Sequence, residues 1–279
     1  MELTVVVPAR NEQGRVGNCV RSVFASAQAS GFDVRVLVVD DESSDSTAGE
    51  AASAGAEVIR QTPRKGPLAA WERGIRATSA DIILFVDADC VIDKDAISSL
   101  MKAFSRSEVG VAAGRPIPEV NAQHGFVASR SSLFSAILLD EIKVRLESHD
   151  FLAVGRLMAI RRDAWNVQNT NQPHCDRVVA NTASLAGWKI AWMPDARVYY
   201  LPPKAYSGLR SDWQRTRLGL HATLLTFDPI PTSTKIGAMW VSAFRFPSGA
   251  FLWAMVRIFL TVEAQFKRKT MTGQHVHWA

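Results

Sequence analysis

Apolar positions in the first ninety residues fall in short unbroken runs. Leu3-Thr4-Val5-Val6-Val7, Val34 to Val39, Glu57-Val58-Ile59-Arg60 and Asp81-Ile82-Ile83-Leu84-Phe85-Val86 each read as a strand, rich in β-branched residues. Helix-like stretches separate them: one reaching about Ser30, one starting in the cap-forming run Ser43-Ser44-Asp45-Ser46-Thr47, and one near Leu68 to Ala77. Strands that are continuously apolar and alternate with helices predict a parallel sheet buried on both faces, hence an α/β fold. Open sheets of this kind bind ligands beyond the C-terminal ends of their strands. The loops at those ends are Pro8-Ala9-Arg10-Asn11-Glu12, Asp40-Asp41-Glu42, Pro63-Arg64-Lys65-Gly66-Pro67 and Asp87-Ala88-Asp89.

Farther along, Ala122 to Phe151 reads as a helix or helical pair, with Asp150 at the surface. From Ile236 onward the pattern becomes strongly apolar and breaks at Pro247-Ser248-Gly249, which predicts two short helices. The second run, about 14 residues before Glu263, carries Arg257 and falls short of the roughly 20 apolar residues of a membrane span. With Lys267-Arg268-Lys269 behind it, it reads as interfacial, giving peripheral membrane contact; packing on the domain or on a second subunit, as in a homo-oligomer, is the alternative.

At 279 residues and 47% apolar content, the chain suits one large domain with an appendage. Its three cysteines, Cys19, Cys90 and Cys175, are too scattered for a disulfide framework or zinc site and point to a reducing compartment. The N-terminus enters a strand directly, without a signal peptide, so a cytoplasmic donor-binding domain is expected. A net charge of +5 suits nucleotide phosphates or anionic lipid. Nucleic acid is not expected as a partner, since no dense basic run is interleaved with aromatics and no binding module is recognisable.

The candidate chemistry lies in the four loops. Asp87 and Asp89, one residue apart at a strand end, suit a hard divalent cation, Mg²⁺ or Mn²⁺, that keeps positions open for substrate phosphates; a solvated turn is the plainer reading. No glycine-rich phosphate loop follows any strand. Phosphate must therefore be held by the cation, helped by Lys65 or Arg10, while Asp40 or Asp41 can accept hydrogen bonds from a base or ribose.

Together these segments resemble the successive signatures of the family 2 glycosyltransferases: Val5 to Glu12, Val38-Val39-Asp40-Asp41-Glu42-Ser43-Ser44-Asp45, Lys65-Gly66 before a helix, and Phe85 to Asp89. The downstream half is similar too. Gly155-Arg156-Leu157-Met158-Ala159-Ile160 resembles the acceptor-side strand, Cys175-Asp176 with Gly187-Trp188 the segment carrying the base, and Gln214-Arg215-Thr216-Arg217-Leu218 the Q-x-x-R-W motif.

The resemblance implies a GT-A fold, Rossmann-like with a mainly parallel sheet, over residues 1–220: about 1–115 for the nucleotide sugar and about 116–220 for the acceptor, then a helical appendage over 221–279. It implies a metal-dependent transfer from a nucleotide diphosphate sugar, UDP before GDP, to a hydroxyl acceptor that is lipid-linked or membrane-proximal. Asp87 and Asp89 would hold the metal. Pro8, Ala9, Arg10, Glu12, Asp40, Asp41, Lys65, Asp87, Gln214 and Arg217 would line the donor site, with Arg217 a second cation. Asp176 would be the base, and a single base opposite the leaving group means inversion; the alternative for Asp176 is a helix N-cap.

Three departures stand out. Cys175 replaces the Glu that usually precedes the base, Leu218 replaces the Trp of Q-x-x-R-W, and Glu42 stands where the family often has Gly. Without that Trp platform, addition of a single sugar is expected. Two other classes compete: a sugar-nucleotide nucleotidyltransferase, which would open with a glycine-rich basic loop that is missing here, and a homologue that binds sugar nucleotides without catalysis.

Overall fold

In the computed structural model, which describes residues 2–120, 125–145, 155–168, 170, 175–202 and 232–254, the four predicted strands are β1 (Leu3–Ala9), β2 (Val34–Asp40), β3 (Glu57–Arg60) and β4 (Ile82–Val86). β1 pairs in parallel with β2 and β4, and β2 with β3. Their side chains divide by alternation. Val5, Val7, Val36, Val38, Ile82 and Leu84 enter one core cluster, and Val6, Leu37, Val39, Ile83 and Phe85 the other. The unbroken apolar runs follow from this, because helices cover both faces.

The first face packs against α1 (Val16–Ser30), α2 (Thr47–Ser53) and α4 (Ala96–Met101), the second against α3 (Pro67–Arg76) and α6 (Cys175–Leu185). α3 starts with Pro67, preset for a helical first position. It lies so close to β1 that a Cβ on Gly74 would come 2.4 Å from Val6 Cγ1.

Four further strands extend the sheet: β5 (Cys90–Ile92), β6 (Val109–Pro118), β7 (Leu157–Arg161) and β8 (Lys189–Tyr200). The order is β3-β2-β1-β4-β7-β6-β8-β5. β7 runs antiparallel to β4, with Leu157 opposite Val86, and β5 antiparallel to β8, with Cys90 opposite Tyr200. The start of β7 and the end of β8 therefore sit at the edge where β4 delivers its aspartates.

Of the long middle stretch, α5 (Phe126–Arg145) is a single helix. It pairs with α7 (Thr232–Arg245), the first of the two C-terminal helices, followed after a break by helix 247–254. Phe134, Leu138 and Ala238 are buried between them, and Arg245 is ion-paired to Glu141. The Gln214–Leu218 motif, Arg257 and the Lys267–Lys269 cluster lie outside the described residues.

Candidate active site

The loops after β1 and β2 are joined by side chains. Asn11 adopts φ 54 and accepts the Ser44 amide at 2.9 Å, while its own amide donates to Ser43 Oγ at 3.0 Å. The Glu12 amide donates to Thr47 Oγ1 at 2.7 Å, and Glu50 accepts the amides of Gly14 at 2.5 Å and Gly17 at 3.1 Å. Glu42 sits in the left-handed region at φ 62, which is the physical reason a glycine suits this position.

The β2 aspartates organise the same edge. Asp40 is fully buried; it accepts the Ser43 amide and Arg60 Nε, each at 3.1 Å. Asp41, also buried, accepts Gln61 Nε2 at 2.7 Å and the amides of Lys65 and Gly66 at 2.9 and 2.8 Å. Asp41 thus fixes the turn that presents Lys65, whose side chain is exposed, as is that of Arg10. Pro8 and Ala9 form the end of β1 beneath them.

Beyond β4, ligand atoms of Asp87, Asp89 and Cys90 all lie within 4.8 Å of one another. Burial pushes the Asp87 carboxyl up to about 7; Arg156 opposes this, and Asp89, Asp176 and Glu12 add to it. Glu12 is also pushed up to about 7 by burial, with Arg15 opposing and Asp89 and Asp45 adding. Its Oε2 lies 2.8 Å from Arg15 Nη2, yet among the described residues nothing donates it a well-formed hydrogen bond: the ion pair supplies charge without good geometry. Crowded, half-buried carboxylates of this kind fit a hard divalent cation, whose charge would relieve their repulsion.

Asp176 reaches the same place from α6. It lies inside the first turn of that helix; its Oδ1 accepts the Arg177 amide at 2.9 Å and its Oδ2 the Gly155 amide at 3.1 Å. The second bond ties α6 to the turn before β7, where a Cβ on Gly155 would sit 3.1 Å from Asp176 Cβ and 3.4 Å from Trp71 Cη2. Next to Gly155, the Arg156 carbonyl accepts the Asp87 amide at 3.3 Å. The Arg156 guanidinium lies 3.8 Å from the Tyr200 ring centroid, with Nη1 3.9 Å from Cys90 Sγ. Burial works against that cation, but Cys90, Asp87, Tyr200 and Asp89 together raise its pKa.

Glu12, Asp87, Asp89 and Asp176 are therefore brought together, with Asp40, Asp41 and the Lys65 turn along the same edge. Gln214 and Arg217 lie outside the described residues. Two participants were not singled out from sequence for this cluster: Arg156, quoted only as part of a strand motif, and Tyr200. No local signal marks Tyr200, because it enters through the pairing of β8 with β5.

Residues 4–167 match the family described as "Glycosyl transferase family 2". Among curated proteins, the chain is 34% identical over 121 residues to a 4,4'-diaponeurosporenoate glycosyltransferase of Staphylococcus aureus (strain USA300), a match covering 41% of this chain and 31% of that enzyme. Of solved structures, a mannosyltransferase from Pyrobaculum calidifontis in complex with GDP-Man and Mn²⁺ aligns with TM-score 0.64 and 17% identity over 95% of this chain and 80% of the other. Glucosyl-3-phosphoglycerate synthase from Mycobacterium tuberculosis, solved with Mn²⁺, UDP and phosphoglyceric acid, aligns with TM-score 0.53 and 22% identity over 80% of this chain and 77% of the other.

Proposed function

Because the chain belongs to glycosyl transferase family 2 and has the α/β architecture expected of a GT-A fold, we propose that it moves a sugar, with inversion, from a nucleoside diphosphate sugar to a hydroxyl of a lipid-linked or membrane-proximal acceptor. The observation that carries this reading is the meeting of Asp87, Asp89 and Asp176 at one sheet edge, delivered by β4 and α6. Asp87 and Asp89 would hold Mg²⁺ or Mn²⁺, which when bound supplies positive charge to the leaving diphosphate. Lys65 and Arg10, exposed on the adjoining loops, offer further cations to the phosphates. Asp40 and Asp41 hold the donor-side loops in shape for base and ribose.

Asp176 is the proposed general base. Its Oδ2 is oriented by the Gly155 amide, which fixes the carboxylate while leaving lone pairs for the proton of an incoming hydroxyl. A single carboxylate base in the described site fits single displacement, hence inversion. The membrane-proximal setting is supported by the apolar C-terminal helices and by the likeness to a Staphylococcus relative named 4,4'-diaponeurosporenoate glycosyltransferase.

The test is a thermal-shift and hydrolysis screen of UDP- and GDP-sugars with and without Mn²⁺, since a ligand of the native state raises the melting temperature by mass action. A donor that stabilises only with metal, and is turned over when a lipid-linked alcohol is added, supports the reading. Absence of any stabilisation or turnover across the screen refutes it.

A further inference from the structure

Two flanks of α7 carry apolar side chains, and among the described residues only one is covered. Ala238, with Met239, Ala243 and Phe246, packs against Phe134 and Leu138 of α5. On another flank Ile236, Trp240 and Phe244 recur every four residues and are 53, 74 and 90% exposed; Phe251 of the following helix is 65% exposed. Residues four apart share a helix face, so the first three form one stripe. A helix flank this apolar is ordinarily buried, and exposed apolar side chains gathered along one flank mark an interaction surface.

We propose that this stripe docks the protein on an anionic lipid bilayer. Charge selects the occupant: between Asp228 and Glu263 the sequence has no acidic residue but has Lys235, Arg245 and Arg257. The nearby acids of α5 are engaged, Asp140 by Arg115 and Glu141 by Arg245, and the Arg245 side chain remains 63% exposed. Arg130 lies 5.2 Å from the ring of exposed Phe126 and 5.1 Å from that of Phe246, adding a cation beside aromatics at the bend after α7. Among the described residues, aromatic rings flanked by Arg130 and Arg245, with the nearby α5 carboxylates ion-paired, complement an anionic headgroup layer.

The helix lies on the bilayer and does not cross it. Its 14 residues span about 21 Å, short of a hydrocarbon core of about 30 Å, and among the described residues no helix is long and apolar enough to span.

The inference deepens the membrane-proximal acceptor proposed above and rests on that reading for its purpose, but its test needs no donor. The full chain is floated with vesicles of phosphatidylcholine alone or mixed with phosphatidylglycerol. It is expected to rise with the mixed vesicles only, and a Trp240→Glu/Phe244→Glu double variant to bind them at least about tenfold more weakly, with unchanged melting temperature and unchanged UDP–Mn²⁺ stabilisation. If the double variant misfolds, Phe244→Ser alone serves. The proposal is overturned if the full chain ignores mixed vesicles, if a folded variant floats equally well, or if the lipid-free chain is a dimer that the substitutions split, which makes the stripe a subunit interface. Failure of the transferase reading would appear instead as loss of the donor response with flotation intact.

Discussion

Asp89 and Asp176 divide the proposed chemistry between them, and single substitutions separate their roles. Asp89→Ala removes a carboxylate from the cluster with Asp87 and Cys90. The expected result is loss of transfer and of the metal-dependent part of nucleotide affinity, with metal-independent binding retained; calorimetry with UDP in Mn²⁺ and in EDTA reads both. Equal turnover in the variant, or full wild-type activity in excess EDTA, contradicts the metal assignment. Asp176→Asn keeps an oxygen able to accept the Gly155 or Arg177 amide but cannot take a proton, so kcat should fall by roughly 10² to 10⁴ with folding and donor binding preserved. A variant that is less stable yet equally fast would give Asp176 a purely structural role. The sequence could place Asp176 at a helix start but not its contact with Gly155, which joins residues 21 apart and depends on β7 lying beside β4. Arg156 was hidden for the same reason: its cation acquires partners only when Cys90, Asp87 and Tyr200 meet.

Elements with strong local patterns were legible, and those held by their neighbours were not. β1 to β4 are β-branched and buried on both faces, so their apolar runs announce them. β6 reads Val-Gly-Val-Ala-Ala-Gly-Arg-Pro-Ile-Pro, a run whose two glycines and two prolines mask its strand signal, and it is held by β7 and β8 on either side. β8 contains Pro194 within a shift of register, where Gly114 pairs with Met193 and Arg115 with Arg197, leaving Pro194-Asp195-Ala196 as a bulge with Pro194 and Asp195 exposed and Ala196 buried. The junction between the β1 and β2 loops likewise depends on side chains far apart in sequence, and it gives a prediction. Glu50→Ala deletes the acceptor of the Gly14 and Gly17 amides and should cost about 1–3 kcal/mol of stability, as for hydrogen bonds to a charged group. It should also weaken donor binding, because the loop carrying Arg10 and Glu12 loses two of its ties to α2 and keeps the one from the Glu12 amide to Thr47. An unchanged denaturant midpoint would show that water replaces Glu50 without loss.

For the molecule as a whole, the acidic site sets how stability varies with pH and, with the proposed metal, how metal binding would vary. Asp87 and Glu12 hold their protons up to about 7 in the folded chain, against ordinary values of 3.8 and 4.5. Between those limits the native state binds more protons than the unfolded state, so the stability these two groups contribute is fully present below about pH 4 and is lost as pH rises through about 7. A divalent cation held by Asp87 and Asp89, as proposed, would compete with the same protons and release them on binding. The melting temperature of the metal-free chain should therefore lose this contribution from about pH 4 to about pH 7, while the increment produced by a fixed Mn²⁺ concentration should grow over the same range. Asp87→Asn removes the titrating ligand, and should flatten both trends while leaving the smaller part due to Glu12. Differential scanning fluorimetry at several pH values, with Mn²⁺ and with EDTA, measures both quantities. A Mn²⁺ increment that stays constant from about pH 6 to about pH 8 would mean that Asp87 is not the protonated carboxyl that the metal must displace.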